Sequence, residues 1–371
     1  MITFEEQFLG KEEKRLLHEA IANSSVNQGK YVKKFESLFS SYCNTKFGCA
    51  SFNGTTALHL ALAALGIKKG DEVIVPSFTF VATANVASYL GATPVFADIE
   101  KETLCIDPES IKNKITKKTK AILPVHVFGY PCDMDIINKI AAKNNLFVVE
   151  DAAEAHGATY KGKKAGSLSD IGCFSFYANK IISTGEGGMC ITNKKEFHDK
   201  MALLRAQGKV KSEDLKEEEF IEKGYYHEIL GFNYRMLDLQ AAIGIAQMKK
   251  IDEKIKARRK LASLYDKEFS KYNTSSAEKS KDTEPSYWVY PLIFESKKVK
   301  LNVGKELMKK NIPFLPFFWP CHKQPFYNKN ETLPITEEIS EKGIVISCNP
   351  RIKEEEALDL VRTIVNASKN A

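Results

Sequence analysis

Between about residues 46 and 192 the chain alternates short β-rich runs with helical stretches, and this alternation limits the possible fold more than any other feature. The β-rich runs are "FGCAS", "DEVIVP", "TPVFADI", "KAILPVHVF" and "LFVVED". The helical runs between them include "TALHLALAALG", "VATANVASYLG" and "MDIINKIAAKNN". This pattern predicts an α/β fold with a mostly parallel sheet covered by helices on both faces. Ligands of such folds bind beyond the carboxyl ends of the strands.

The length of the chain, 371 residues, predicts two domains, because it exceeds the usual size of one hydrophobic core. Residues 237–269 read as one long helix, apolar at first and amphipathic later. We place the domain boundary inside this helix, with a large domain over 1–245 and a smaller α+β domain over 246–371. The charged stretch 208–226 is predicted to be exposed rather than part of the core.

Charge and cysteine usage exclude several classes of protein. The net charge of +7 is spread over helical surface segments, which favours a solvated surface over a nucleic-acid interface. The eight cysteines include no C-x-x-C pair and several lie in apolar runs, so we predict reduced core residues and no metal site.

The N-terminal segment lacks the basic residues of a signal peptide, and no apolar run has the length of a bilayer span. We therefore expect a cytoplasmic protein with no membrane partner.

The "NGTT" motif after the first β-rich run allows two interpretations. Thr55 or Thr56 could cap the apolar helix that follows, by accepting hydrogen bonds from amides of its first turn. Alternatively, Gly54 permits a tight turn, and the free amides and the helix dipole bind a phosphate group. The motif alone does not decide between these interpretations.

Asp151 and Lys180 each follow a β-rich run. Asp151 ends "LFVVED", where it either caps a following helix or pairs with a cationic ligand nitrogen, and Lys180 follows "CFSFY". Lys180 is either an exposed loop lysine or a desolvated amine that forms a Schiff base with a carbonyl group. Pyridoxal 5'-phosphate (PLP) requires a phosphate site, an acid for its ring nitrogen and a lysine for its aldehyde. The combination therefore predicts PLP as the cofactor.

Five motifs in order make the chain resemble a known family. They are "NGTTALHLAL", "PSFTFVATAN", "EDAAEAHGA", "FSFYANKIISTGEGGM" and "GFNYRMLDLQAAIGIAQ". Together they resemble the DegT/DnrJ/EryC1/StrS family of PLP-dependent sugar aminotransferases of fold type I, over nearly the whole chain. The resemblance implies a seven-stranded, mostly parallel sheet in the large domain. Within the family, "EDAAEAHGATYKGK" and "TGEGGM" are most similar to the perosamine synthase branch, which aminates the 4-keto group of GDP-4-keto-6-deoxymannose with L-glutamate as donor.

The resemblance assigns roles around the cofactor ring. It implies that Lys180 forms the Schiff base and then shuttles a proton, with pyridoxamine 5'-phosphate as intermediate. It implies that Asp151 pairs with the ring nitrogen and that Glu154 lies near the phenolic oxygen. Phe80 falls where an aromatic ring stacks on the cofactor, although a core position is the alternative for this residue.

The resemblance also assigns the phosphate site and an assembly. Gly54, Thr55 and Ser175 match phosphate-binding positions, and the alternation along "CFSFY" turns Ser175 away from its neighbours. Asn233 matches an asparagine that reaches the phosphate of the neighbouring subunit, which implies a homodimer with shared sites. A turn before the long helix is the alternative for the segment around Asn233.

Substrate contacts are predicted for Tyr177, beside the lysine, for Arg235, in the "GFNYR" motif, and for His322. His322 lies in the aromatic segment "PFFWPCHKQPFY", which alternatively packs two domains together. Histidine replaces the Schiff-base lysine in a dehydratase branch of the family, and Lys180 excludes that branch.

Alternative functions remain open. The same chemistry could use a UDP- or dTDP-linked keto sugar or a small phosphorylated ketone as acceptor. A protein of another class, a PLP-binding regulator without turnover, would keep the cofactor residues. A nicotinamide-dependent oxidoreductase is disfavoured because the glycine cluster "TGEGG" precedes a strand instead of following one.

Overall fold

A seven-stranded sheet organises the larger part of this computed structural model, which describes residues 2–4, 9–210, 215–223, 225–272, 276–278, 282–327 and 330–370. The strands in chain order are β1 Phe47–Ser51, β2 Glu72–Pro76, β3 Thr93–Ala97, β4 Thr119–Ile122, β5 Phe147–Asp151, β6 Thr159–Tyr160, β7 Lys163–Lys164, β8 Ile171–Ser175, β9 Gly188–Thr192, β10 Thr283–Glu284, β11 Val289–Ile293, β12 Leu315–Pro316 and β13 Gly343–Ser347. The large sheet has the order β1-β9-β8-β5-β4-β2-β3. β9 runs antiparallel to β1 and β8, and the other neighbouring strands are parallel. The predicted mostly parallel, seven-stranded sheet is confirmed.

Helices cover both faces of this sheet. The helices are α1 Lys11–Ala22, α2 Lys30–Tyr42, α3 Gly54–Ala64, α4 Ala82–Tyr89, α5 Pro108–Lys114, α6 Met134–Lys143, α7 Lys195–Arg205, α8 Glu217–Lys223, α9 Asp238–Met248, α10 Ile251–Phe269, α11 Lys297–Lys309, α12 Pro334–Lys342 and α13 Glu354–Lys369. Alternate strand residues enter different apolar clusters, as the strand period of two requires. Val149 packs with residues of α3 and α7, whereas Val148 packs with residues of α2 and α6.

The predicted helix over 237–269 is two helices, α9 and α10, so that prediction is wrong. The chain turns at Lys249 and Lys250, whose amides bond carbonyls three residues back. The side chains of these two lysines pair with Glu12 and Glu13 of α1. These contacts hold the break against the surface of α1. The domain boundary at 245/246 stays a prediction.

A smaller sheet lies in the C-terminal part of the chain. Its strands have the order β11-β13-β12 and are antiparallel. α13 packs against α10 and α11, and the apolar faces of these helices join the strands in one buried cluster. The predicted smaller α+β unit is therefore present.

The segment predicted to be exposed, 208–226, contains α8. Within it Ile221 is 78% exposed and Tyr225 is 85% exposed, while residues 211–214 and 224 lie outside the described residues. All eight cysteines fall in the described part of the chain, where they are buried and free. Among the described helices, none has a hydrophobic stretch that could span a lipid bilayer.

Candidate active site

A pocket of about 370 Å³ lies at the edge of the large sheet where its parallel strands end. Its walls come from the segments that follow β1, β2, β5 and β8, together with residues from the C-terminal part of the chain. Most of the predicted site residues line it: Gly54, Thr55, Phe80, Asp151, Glu154, Ser175, Tyr177 and Lys180. The fold therefore brings together residues that are far apart in the sequence, as the strand-end rule predicts.

The first turn of α3 forms one end of the pocket, and its cap is Asn53. The Asn53 side chain accepts a hydrogen bond from the Thr56 N–H at 2.9 Å, and the Asn53 N–H donates to the Thr56 hydroxyl at 3.0 Å. The alternative that Thr55 or Thr56 is the N-cap is therefore wrong, and Thr56 instead completes the capping box with its hydroxyl. The N–H groups of Gly54 and Thr55 have no acceptor among the described residues. A helix N-terminus with free amides is an anion-binding site.

Gly54 and Ser175 approach each other closely beside these amides. A Cβ atom at position 54 would lie 2.7 Å from the Ser175 Cβ, which is closer than real Cβ atoms come. Ser175 is 8% exposed, and its Oγ accepts a hydrogen bond from the Tyr177 N–H at 3.3 Å. Because glycine permits this approach, the end of β8 and the start of α3 form a narrow polar cradle whose donors suit a phosphate group.

Asp151 ends β5 and also lines the pocket. Its carboxylate accepts hydrogen bonds from the Thr83 hydroxyl at 2.8 Å and from the Ala153 N–H at 3.2 Å. Turns follow β5, so the helix-capping alternative for Asp151 is wrong. Burial raises the pKa of Asp151 above its ordinary value, although the two donors and Lys180 oppose this rise. A cationic group of a ligand beside the carboxylate would offset the cost of its burial.

A second buried carboxylate anchors the backbone of Asp151. Glu150 is fully buried, points to the other face of the sheet and lies 2.9 Å from Nε2 of His126. Because Nδ1 of His126 accepts a hydrogen bond from the Cys132 N–H, Nε2 carries the proton and donates to Glu150. Glu150 also accepts hydrogen bonds from the loop 166–169. The His126 N–H in turn donates to the Asp151 carbonyl at 3.0 Å, so this network supports the strand end that carries Asp151.

The Lys180 amine points into the pocket. Its Nζ lies 3.5 Å from a carboxylate oxygen of Glu154, and the side chain is only 11% exposed. Burial lowers the pKa of Lys180, while Glu154 and Asp151 act to raise it. Burial also raises the pKa of Glu154, which accepts a hydrogen bond from the Phe128 N–H at 2.7 Å. The alternative of an exposed loop lysine is therefore wrong.

Two aromatic residues form the rim of the pocket. Phe80 is 60% exposed and Tyr177 is 42% exposed, and both line the pocket. The alternative of a core position for Phe80 is therefore wrong. Large exposed aromatic rings at a pocket are available for stacking on a bound ring.

The structure corrects the predicted role of His322. This residue is fully buried, with Nδ1 2.6 Å from the Ser77 hydroxyl and Nε2 3.1 Å from a carboxylate oxygen of Glu337. Both ring nitrogens are occupied by these contacts, which connect the loop after β2 with α12. His322 is a packing residue, and the prediction of a substrate contact is wrong.

Asn233 and Arg235 lie outside the lining of the pocket. Asn233 is exposed and Arg235 is partly buried. The carbonyl of Tyr234, between them, accepts a hydrogen bond from the Phe52 N–H at 2.9 Å, which places this segment beside the cap residue of α3. The predicted roles of Asn233 and Arg235 stay predictions.

Other pocket residues were missed in the sequence. Thr83 lies inside the quoted "PSFTFVATAN" motif, four residues after Thr79, whose hydroxyl it contacts at 3.0 Å. This helical spacing was a signal that could have identified it. Trp288 and Phe318 line the pocket from the C-terminal part of the chain. Phe318 lies in the aromatic segment "PFFWPCHKQPFY", where His322 was predicted instead, and no local pattern pointed to Trp288.

A buried lysine amine, a buried carboxylate and an open helix N-terminus lie at one edge of a mostly parallel sheet, and these are the groups that a PLP-dependent enzyme requires. The sequence profile of the DegT/DnrJ/EryC1/StrS aminotransferase family matches residues 7–365. GDP-perosamine synthase of Escherichia coli O157:H7 is 38% identical over 363 residues, which cover 97% of this chain and 96% of that protein. GDP-perosamine synthase of Caulobacter vibrioides is 41% identical over 338 residues, covering 88% of this chain and 87% of that protein.

Solved structures agree with the sequence comparison. A sugar aminotransferase candidate from Streptococcus pneumoniae, solved in its PLP form, superimposes with a TM-score of 0.93 at 25% identity and covers 100% of this chain and 99% of its own. The chain belongs to the DegT/DnrJ/EryC1/StrS aminotransferase family, and it is a PLP-dependent transaminase.

Proposed function

We propose that this enzyme moves the amino group of L-glutamate to the 4-keto group of a nucleotide-linked 4-keto-6-deoxy sugar, with GDP as the nucleotide. The observation that carries the proposal is the likeness to two GDP-perosamine synthases over most of the chain, in a protein whose pocket holds Lys180 and Asp151. Sugar nucleotides are large, and the open aromatic rim at Phe80 and Tyr177 leaves the pocket accessible to them.

The pocket residues suit PLP as the cofactor. The amides of Gly54 and Thr55 and the hydroxyl of Ser175 would hold the phosphate, since they form the cradle at the start of α3. Asp151 would pair with the ring nitrogen, because a buried carboxylate needs a cationic partner. Phe80 would stack on the ring, and Glu154 would lie near the phenolic oxygen.

Lys180 would form the covalent bond to the cofactor and would transfer the proton. Bound PLP supplies an aldehyde carbon for attachment to the amine and a ring that accepts electrons from the substrate. Burial lowers the pKa of Lys180 and so increases the fraction of neutral, nucleophilic amine near neutral pH. When free, Nζ of Lys180 would take a proton from the α-carbon of the amino donor and would deliver it to the carbon that was the aldehyde carbon. Glu154, 3.5 Å away, stabilises the amine while it carries that proton.

The proposal includes a homodimer. Asn233 is exposed and does not line the pocket of its own chain, which fits a residue that acts in a neighbouring subunit. A two-fold dimer would place each Asn233 at the partner's site. Location in the cytoplasm stays a prediction.

A panel of acceptors tests this function. The purified enzyme is converted to its aminated form with PLP and L-glutamate, and the release of 2-oxoglutarate is measured. GDP-4-keto-6-deoxymannose, UDP- and dTDP-linked 4-keto sugars and a small phosphorylated ketone are then added separately, with a Lys180→Ala variant as control. We expect the GDP sugar to restore the aldehyde spectrum fastest. Preference for another acceptor contradicts the proposed substrate, and no spectral change with glutamate supports a regulator without turnover.

A further inference from the structure

Trp288 lies directly before β11, in the C-terminal part of the chain, yet its ring faces Lys180. The Nζ atom of Lys180 lies 3.7 Å from the centroid of the Trp288 ring. An ammonium group within about 6 Å of an aromatic ring face is attracted by the ring's negative charge density, and tryptophan gives the strongest attraction. Trp288 is 9% exposed, so water screens this contact little.

Three hydrogen bonds hold Trp288 in place. Its N–H donates to the Phe128 carbonyl at 3.1 Å, and its carbonyl accepts from Nη1 of the buried Arg258 at 2.8 Å. Its indole Nε1–H donates to the Asn179 carbonyl at 2.8 Å. The third bond ties the ring to the residue that precedes Lys180. The ring position is therefore set by the surrounding backbone and by the lysine loop itself.

Charged groups also surround the Lys180 amine, and the Trp288 ring acts in addition to them. Glu154 and Asp151 come from the end of β5 and the turns that follow it, and both favour the charged form of the amine. Trp288 comes from the segment before β11, and Arg258 of α10 is turned toward the Trp288 carbonyl. The Lys180 amine is therefore held by two groups, the carboxylate of Glu154 and the indole face of Trp288.

We propose that Trp288 is a positioning residue: its indole face holds the Lys180 amine whenever that amine is not covalently bound. This inference rests on the proposed role of Lys180. A free lysine side chain has many rotamers, and fixing the amine beside the reacting carbon removes the entropy cost of finding it again. The contact also links the C-terminal part of the chain to proton transfer in the pocket.

Fluorescence of the cofactor-free protein tests the contact directly. The chain has two tryptophans, and Trp319 is 60% exposed, so Trp319→Phe leaves Trp288 as the only tryptophan, and selective excitation of tryptophan excludes the tyrosines. We expect the emission of Trp288 to change with pH as Lys180 loses its proton. Lys180→Met, added to Trp319→Phe, keeps a long side chain without the charge and is expected to abolish this change. An identical pH profile in both proteins, or no change in either, would overturn the inference.

Fluorinated tryptophan separates the charge effect from packing. Fluorine withdraws negative charge from the ring face with little change in the size of the ring. If the ring acted only through apolar packing, fluorine would leave the pKa of Lys180 unchanged. The pKa of Lys180 in cofactor-free protein is measured by competitive acetylation and peptide mass spectrometry. We expect it to fall by about 0.5 to 1 pH unit upon fluorination. Lys164, whose Nζ lies 4.3 Å from the Tyr42 ring centroid, is the internal control and should not change. An unchanged pKa for Lys180 would overturn the inference.

These measurements stand apart from the acceptor panel. An enzyme that aminates the GDP sugar but shows no coupling between Trp288 and Lys180 refutes the positioning role alone. A protein with the coupling but without transamination refutes the proposed function and leaves the contact established.

Discussion

The side chains of Asp151 and Lys180 are both buried. Water would stabilise their charged forms better than the interior of the protein does. Burial raises the pKa of the Asp151 carboxyl and lowers the pKa of the Lys180 amine. Each shift favours the neutral form, so burial in this pocket disfavours both charges. A ligand with a cationic nitrogen at one end and an electrophilic carbon at the other would relieve both costs.

Thr83→Val should weaken PLP binding because it removes the hydroxyl that donates to Asp151 at 2.8 Å. A hydrogen bond to a charged group contributes about 1.5–3 kcal/mol, so we expect the dissociation constant of PLP to rise about tenfold or more. The measurement is a spectroscopic titration with PLP. Thr79→Val is the matched control. It removes a neighbouring hydroxyl that contacts Thr83 but leaves the Thr83 hydroxyl that donates to Asp151. Equal effects of the two variants would contradict the role of Thr83.

Asp151→Asn should change how the stability of the cofactor-free protein depends on pH. Between the ordinary Asp value of 3.8 and the raised value, folded Asp151 keeps a proton that the unfolded chain has lost. The stability contributed by this group is therefore present at low pH and is lost as pH rises through the raised pKa. The loss is at most about 1.4 kcal/mol per pH unit.

The measurement for Asp151→Asn is urea unfolding from pH 3.8, the ordinary value of an Asp side chain, up to pH 8. We expect the free energy of unfolding of the wild type to fall, relative to the variant, as pH rises. The raised pKa of Glu154 acts in both proteins and largely cancels in the difference. A difference that is constant or grows with pH would show that burial does not raise the Asp151 pKa.

Single residues were predictable where a strand end and a motif agreed. Asp151 and Lys180 were identified in this way, and the structure brings both into one pocket. His322 was wrong because an aromatic segment does not reveal that both ring nitrogens bond Ser77 and Glu337. Trp288 was missed because its partner, Asn179, lies 109 positions away in the sequence.

At the scale of secondary structure, the geometry of the first turn of α3 requires glycine at position 54. Gly54→Ala would place a Cβ 2.7 Å from the Ser175 Cβ, so α3 or β8 must shift. Such overpacking typically costs about 1–3 kcal/mol of stability. We expect the variant to lose affinity for PLP more than for pyridoxal, which lacks the phosphate. Both affinities are measured by titration.

A second substitution provides the control for Gly54→Ala. Ser175→Gly removes the Cβ that would clash, and the double variant is compared with Ser175→Gly alone. We expect the two to bind PLP alike, because the contacts at 2.7 Å and 3.1 Å are then gone and only the Cα of residue 175, at 3.3 Å, stays near the extra methyl group. A double variant as impaired as Gly54→Ala would show that helix geometry, and not the contact with Ser175, controls phosphate binding.

Elements were predictable where the hydrophobic period was clear. The strands and helices between β1 and β9 follow the alternation of the sequence, but their ends depend on local contacts. Asn53 caps α3 because its side chain reaches the Thr56 amide, a choice that adjacent polar residues leave open. The break between α9 and α10 was missed because Lys249 and Lys250 are good helix formers and their partners lie on α1.

At the scale of the whole molecule, segments that are far apart in the sequence meet at the pocket. The N-terminal two thirds supply the cradle, Asp151 and Lys180, while Trp288 and Phe318 arrive from the C-terminal part. Motions between these parts would therefore change the pocket directly. The alternation of strands and helices could not reveal which C-terminal residues close it.

Subunit mixing tests the proposed homodimer. Lys180→Ala and Asn233→Ala should each lower activity, but a mixed dimer contains one site with an intact Lys180 and the partner's intact Asn233. Random mixing in equal amounts should therefore restore about a quarter of the wild-type sites. The measurement is transamination before and after unfolding and refolding the two variants together. Activity no higher than the average of the two variants would contradict a shared site.

Covalent attachment of PLP to Lys180 is the central claim, and it can be measured directly. The purified protein is incubated with PLP, reduced with borohydride and digested, and the adduct is mapped by peptide mass spectrometry. We predict one adduct, on the peptide that carries Lys180, with none in Lys180→Ala. An adduct on other lysines alone, or none at all, would contradict the assignment of this pocket as the cofactor site.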